Sequence, residues 1–215
     1  GTNYRGWQIQ KKGKTIQGII QKKISKLLKE KIILIGSGRT DAGVHALEQS
    51  AHFDCSKKII ETDRFIKSIN HFLNKECVSI LKIRKRDNNF HSRFSAKMRI
   101  YTYVIINRLS EPILEKKKCW HVTKKLDLSL MKKGAKKLMG QRDFSTFRAS
   151  SCKAKSPIKT MKLVKIRSIK NKIVIEFRSQ SFLQTQVRSM VGCLKFLGEK
   201  KWSLKKFVDV MNSKK

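Results

Sequence analysis

Between Gly36 and Ala46 the chain reads Gly-Ser-Gly-Arg-Thr-Asp-Ala-Gly-Val-His-Ala, which sets three glycines, a guanidinium, a carboxylate and an imidazole close together. Asp41 stands among small residues, with Arg39 two positions before it. A nearby cation holds a carboxylate ionised, and glycine lets a substrate approach the backbone, so the stretch suits a nucleophile or a base. Other readings compete. A phosphate cradle of the G-x-G-x-x-G kind fails, because Asp41 occupies the third glycine position and its charge repels phosphate; the Lys-Ser/Thr of a P-loop is also missing. Spacing by itself favours a plainer role for Asp41, as the N-cap of a helix beginning at Ala42 with the glycines shaping a turn.

A loop of this kind needs rigid elements to hold it. The run Ile32 to Ile35 ends at Gly36 and reads as a buried strand that delivers the loop. Before it, Thr15 can cap a helix whose apolar positions Ile16, Ile19, Ile20, Ile24, Leu27 and Leu28 keep helical spacing. After it, Ser50 to Phe53 reads as a strand, a helix begins at Thr62 or Asp63, and Val78 to Ile83 reads as a further strand. The second half repeats the pattern. Met98 to Ile106 alternates as a strand does, with Tyr101, Tyr103 and Ile105 on one face and Ile100, Thr102 and Val104 on the other. A helix over Asp127 to Met139 follows. Strands at about Leu163 to Ile169 and Ile173 to Phe177 join through a hairpin at Lys170-Asn171-Lys172. A long helix spans Ser181 to Leu197, and Ser203 caps a short last one.

Each half thus reads strand, helix, strand, strand, helix, strand, without an evident opening strand in the first half or closing strand in the second. The expected fold is α+β: two related subdomains of antiparallel sheet with helices packed on one face, one over residues 1–95 carrying the Asp41 loop and one over 96–215. The start at Gly1, in a turn-like stretch with no Met, leads us to expect truncation at both ends.

Composition narrows the partner. Lys and Arg number 51 against 15 Asp and Glu, a net charge of +36, and a polyanion is the natural counterpart, nucleic acid first. A Lys surplus from an AT-rich genome would look the same. The five cysteines form no C-x-x-C pair and are odd in number, which argues against structural zinc and a disulfide framework. No apolar run approaches the ~20 residues that span a bilayer, and no signal-peptide order opens the chain, so a cytoplasmic protein without membrane or metal is expected.

The stretch Gly38 to Ala46 resembles, without a substitution, the GRTDAGVHA core of the TruA family of tRNA pseudouridine synthases. The likeness continues. Gly1 to Gln8 is similar to the family's GTxYxGWQ, Phe90 to Ala96 to its FHARFSA, Arg99 to Tyr103 to its RxYxY strand, and Gly140 to Arg148 to its GxHDFxxFR. Ser181 to Gly192 resembles SFLHHMVRxxVG, with Gln184, Thr185 and Gln186 where the family commonly has His-His-Met; Gln141-Arg142 likewise replace x-His. The resemblance implies that Asp41 is the catalytic aspartate, that Tyr101 contacts the target uracil and that Arg188 pairs with Asp41; Arg39 reads either as helping to hold the RNA open around a flipped base or as a plain surface cation. The resemblance also implies uridine isomerisation in the anticodon arm of tRNA, at positions 38–40, by a homodimer that needs no cofactor. From the residues alone, Tyr101 reads as a core-facing strand aromatic, Arg188 as a solvated residue beside the apolar stripe of its helix, His45 as structural, and Trp7 and Trp120 as packing residues. The rival from another class is a non-catalytic basic RNA-binding module, for which the RNP aromatic pattern is missing.

Overall fold

The computed structural model describes residues 1–214, which form a mixed α+β chain. It divides into two compact units, Gly1–Ala96 and Lys97–Lys215.

In the first unit, helix α1 (Ile16–Leu28) begins where the Thr15 hydroxyl accepts from the Gly18 N–H, and it buries Ile20, Ile24 and Leu28. Helix α2 (Thr62–Leu73) buries Phe65, Ile69 and Leu73 against it. Ile32, Leu34 and the Trp7 ring complete this core. The sheet is smaller than the sequence led us to expect. Only Ile35–Gly36 (β1) and Ala51–His52 (β2) pair, antiparallel. Residues 32–34 alternate inward and outward, with Ile33 63% exposed, but their backbone bonds go elsewhere. One row of α1 side chains takes them: Ser25 accepts from the Ile32 N–H, Gln21 accepts from the Leu34 N–H, and Gln17 donates to the Leu34 carbonyl. Residues 78–83, expected as a strand, form none. Asn70 holds both backbone groups of Ile80 (2.9 and 2.7 Å), so a side-chain amide replaces the neighbouring strand.

In the second unit, five strands stand in the order β4-β3-β7-β6-β5. They are β3 (Arg99–Asn107), β4 (Trp120–Val122), β5 (Gly140–Asp143), β6 (Ile158–Ile169) and β7 (Lys172–Ser179). All pairs are antiparallel except the edge pair β3–β4. Neither short strand, β4 or β5, was foreseen. The β6–β7 hairpin turns with Lys170 at φ +52°. Helix α3 (Leu128–Lys137) is capped by Asp127, and α5 (Leu204–Asn212) by Ser203, whose hydroxyl accepts from the Lys206 N–H. Helix α4 starts at Gln186, later than the expected Ser181, and runs to Gly198. Thr185 at φ +64° breaks the helical path, and the buried Gln186 folds back to accept from the Leu183 N–H at 2.8 Å. One face of the sheet meets the helices around Ile105, Ile175, Phe177, Met131, Leu194 and Phe207. As the alternation required, Ile105 is fully buried and Tyr101 and Tyr103 half-buried, while Ile100 on the opposite face is 57% exposed.

Candidate active site

The Gly36–Ala46 stretch leaves β1 through a tied neck. The Ser37 N–H donates to the Ser50 carbonyl at 2.8 Å, and the Gln49 amide donates to the Gly38 carbonyl at 2.6 Å. The loop then turns at Asp41–Val44: the Val44 N–H donates to the Asp41 carbonyl at 3.2 Å, and Gly43 has φ +78°. A positive φ at the third position is what a type II turn demands of glycine. No helix begins at Ala42, so the N-cap reading of Asp41 has nothing to cap. Asp41 occupies the first corner of an exposed turn, and Arg39 is exposed just before it.

The chain's opening segment braces this loop. The Trp7 N–H donates to the Thr40 carbonyl at 3.0 Å, and the Gly43 N–H donates to the Tyr4 carbonyl at 3.4 Å. Gly6, at φ +88°, lies so near that an added Cβ would sit 2.4 Å from the Thr40 oxygen. At Gly36 an added Cβ would meet the buried Trp7 ring at 2.5 Å. Trp7 is therefore a packing residue whose ring fixes the start of the loop. His45 lies against Gly1, and its Nε2 is 3.2 Å from the Thr2 hydroxyl, as befits a structural role. Tyr4 anchors the segment from below: its hydroxyl donates to the Glu76 carbonyl, and burial with the Glu76 charge pushes its pKa up to about 12. The Lys14 ammonium, 2.9 Å from Glu76, holds that carboxyl below its ordinary value.

A second clasp comes from the Phe90–Ala96 motif. The buried Ser92 hydroxyl donates to the Ile35 carbonyl at 2.8 Å and lies 2.9 Å from His52 Nδ1, tying this segment to both short strands. Reasoning from residue types singled out the carboxylate and read Trp7 as packing and His45 as structural, but missed Gly6, Gly36 and Ser92, whose signal was the family motifs that hold them.

Tyr101 and Arg188 belong to the second unit. Tyr101 lies edge-on to Phe182, ring centroids 4.9 Å apart, so its half-buried ring is fixed by the segment that leads into α4. Arg188 is exposed in the first turn of α4 and lines, with Tyr103, Cys119, Trp120 and Gly192, an open cleft of about 320 Å³. Burial pushes the Tyr103 hydroxyl up, and the Arg188 charge opposes that shift. Trp120 packs edge-on to Tyr103, with the Lys195 ammonium 5.6 Å from its ring centre. Of the residues that replace His-His-Met, the exposed Gln184 gives its carbonyl to the Ala149 N–H, and Thr185 and Gln186 shape the entry to α4. Of the Gly140–Arg148 motif, Phe144 and Phe147 are core residues, and Asp143 accepts from the Ser145 N–H at 2.8 Å. Among the described residues no group of three or more His, Cys, Asp and Glu is placed to hold a metal, all five cysteines are free, and no helix is long and apolar enough to cross a membrane.

Comparison with known proteins bears on the same segments. The family model for tRNA pseudouridine synthase matches residues 1–95 and 135–215. The tRNA pseudouridine synthase A of Pelagibacter ubique is 67% identical over 215 residues, all of this chain and 87% of that relative. The tRNA pseudouridine synthase A of Paramagnetospirillum magneticum is 43% identical over 203 residues, 94% of this chain and 79% of the relative. With the loop, its braces and both α4-side motifs inside the matched regions, the chain belongs to the TruA family of tRNA pseudouridine synthases.

Proposed function

We propose that the chain converts uridine to pseudouridine in the anticodon arm of tRNA, at the positions expected above, with Asp41 as the catalytic carboxylate. One observation carries the reading: an unaltered Gly38–Ala46 stretch presents Asp41 on an exposed turn whose backbone is clamped by the opening segment. The reaction breaks the bond between uracil N1 and ribose C1′, turns the ring and rejoins it through C5, whose hydrogen leaves as a proton. Substrate and product are isomers, so no oxidant or reductant is consumed and no cofactor is required. The target nucleotide leaves its stack to be reached. An ionised Asp41 serves either by covalent attack or by removing a sugar proton.

The division of labour follows the two subdomains, 1–95 and 96–215. The first supplies Asp41, with Arg39 holding the RNA open around the flipped base. The second supplies Tyr101, whose ring contacts the uracil, and Arg188, whose guanidinium pairs with Asp41. The excess of Lys and Arg meets tRNA phosphates, so recognition rests on shape more than on base edges. The enzyme acts in the cytoplasm as a homodimer. Incubation with unmodified tRNA tritiated at C5 of uridine tests the reading, with carbodiimide mapping of the modified position. Tritium release with a new adduct in the anticodon arm is expected; no release, or an adduct elsewhere, contradicts it.

A further inference from the structure

Outside the Asp41 loop, the first unit carries an aromatic surface that the chemistry above leaves unused. Phe94 is 77% exposed at the tip of the turn that follows His91. Single exposed apolar residues are ordinary on a protein surface, and what sets this ring apart is how it is held. The mount is rigid. His91 Nδ1 accepts from the Arg93 and Phe94 N–H groups (3.2 and 3.4 Å), and the Ser95 N–H donates to the His91 carbonyl at 2.8 Å. The His91 ring backs Phe94 at 4.4 Å with a 32° tilt, and His52 backs His91 at 4.8 Å, edge-on. His52 is joined to the buried Ser92, and through it to β1. Cations flank both ends: the Arg93 guanidinium lies 5.9 Å from the Phe94 ring centre, and that of Arg86 5.5 Å from Phe90.

An exposed aromatic face fixed in place beside guanidinium groups, on a chain of net charge +36, matches the chemistry of an unpaired nucleobase with its phosphate. We propose that Phe94 is a stacking platform for an unpaired base of the RNA substrate, a base other than the target uridine, with Arg93 on the adjoining phosphate. The proposal rests on the reading that the substrate is RNA. It gives the Phe90–Ala96 motif two roles, with Ser92 fastening the segment to β1 and Phe94 meeting RNA.

The test measures the Kd for unmodified tRNA at one fixed salt concentration for wild type, Phe94→Ala, Phe94→Leu and Phe94→Trp, with melting curves and sedimentation velocity for each. Loss of one base–aromatic stack corresponds to weakening of about 5- to 150-fold. Leu keeps the apolar bulk without the π face, so Phe94→Leu should weaken binding much as Phe94→Ala does. Phe94→Trp should hold the affinity, and its added emission, taken against wild type, should be quenched by single-stranded oligouridylate. Melting temperatures should not move, because the ring lies outside the core. Leu and Ala variants that bind within twofold of wild type overturn the platform, as does a Phe94→Ala chain that loses self-association at unchanged affinity for tRNA. Tritium release by wild type, run alongside, separates the two readings: an active wild type with normal binding by Phe94→Leu loses only the platform, whereas an inactive wild type with quenched Phe94→Trp loses only the isomerase assignment.

Discussion

Gly6→Ala probes whether the opening segment sets the position of the Asp41 carboxylate. The new Cβ would lie 2.4 Å from the Thr40 oxygen, and ordinary contact begins at 3.4 Å, so the backbone beside Asp41 must give way by about 1 Å. The residue would also have to hold φ +88°, at a cost of about 1–2 kcal/mol. A misplacement of about 1 Å at a catalytic group costs on the order of 100-fold in rate. Gly140 separates strain from displacement, since it has φ +89° in the second unit with nothing within 4 Å of an added Cβ. Gly6→Ala and Gly140→Ala should therefore both melt a few degrees lower, while only Gly6→Ala loses kcat, on the order of 100-fold, with tRNA binding largely kept. Single-turnover tritium release and filter binding on both variants decide it. A folded Gly6→Ala enzyme with kcat within threefold of wild type would show that the clamp on Thr40 does not set the position of Asp41.

Arg188→Lys should lose activity despite its retained charge, because an ammonium cannot offer a carboxylate the planar two-pronged contact that a guanidinium can, and Arg188→Met should lose more. Melting temperature should hold in both variants, because Arg188 is exposed. Affinity for tRNA should fall by about 1,000-fold or more between 50 and 200 mM salt if six or more phosphates are neutralised, as titrations across that range would read. Tyr4 is neutral in the fold up to about pH 12 but ionises near pH 10 when unfolded, so its contribution is full below pH 10 and is lost as the pH rises toward 12. Denaturant unfolding from pH 9 to 11.5 should show wild type losing stability more steeply than Tyr4→Phe.

Helices were the most legible part of the sequence, since each carried an apolar stripe and α1, α3 and α5 a capping side chain as well. Thr15 and Ser203 cap α1 and α5 as expected, and Asp127, expected as the first residue of its helix, caps α3. Strands were legible where alternation ran long, as in β3, and illegible where other groups took the backbone bonds. The Ile32–Ile35 run and residues 78–83 have strand-like sequence, yet Gln17, Gln21, Ser25 and Asn70 satisfy their amides from helices, which no local pattern reveals. The short strands β4 and β5 carry too few residues for a period to show, and α4 began late because Thr185 took a positive φ. In the candidate site, residue chemistry pointed to Asp41 but leaned toward a helix cap, and family motifs corrected that weighting. The braces at Gly6, Gly36 and Ser92 act through close approach in three dimensions, so they became visible only once the loop and its neighbours were placed.

The central claim is that the Asp41 carboxylate performs the isomerisation on a tRNA that the rest of the surface binds. Asp41→Asn keeps the shape of the side chain and deletes its charge, so the most direct measurement is tritium release from C5-tritiated tRNA by this variant at saturating enzyme, with its tRNA Kd measured alongside. The account predicts a Kd close to that of wild type and no tritium release above background. Turnover by Asp41→Asn comparable to wild type would contradict it.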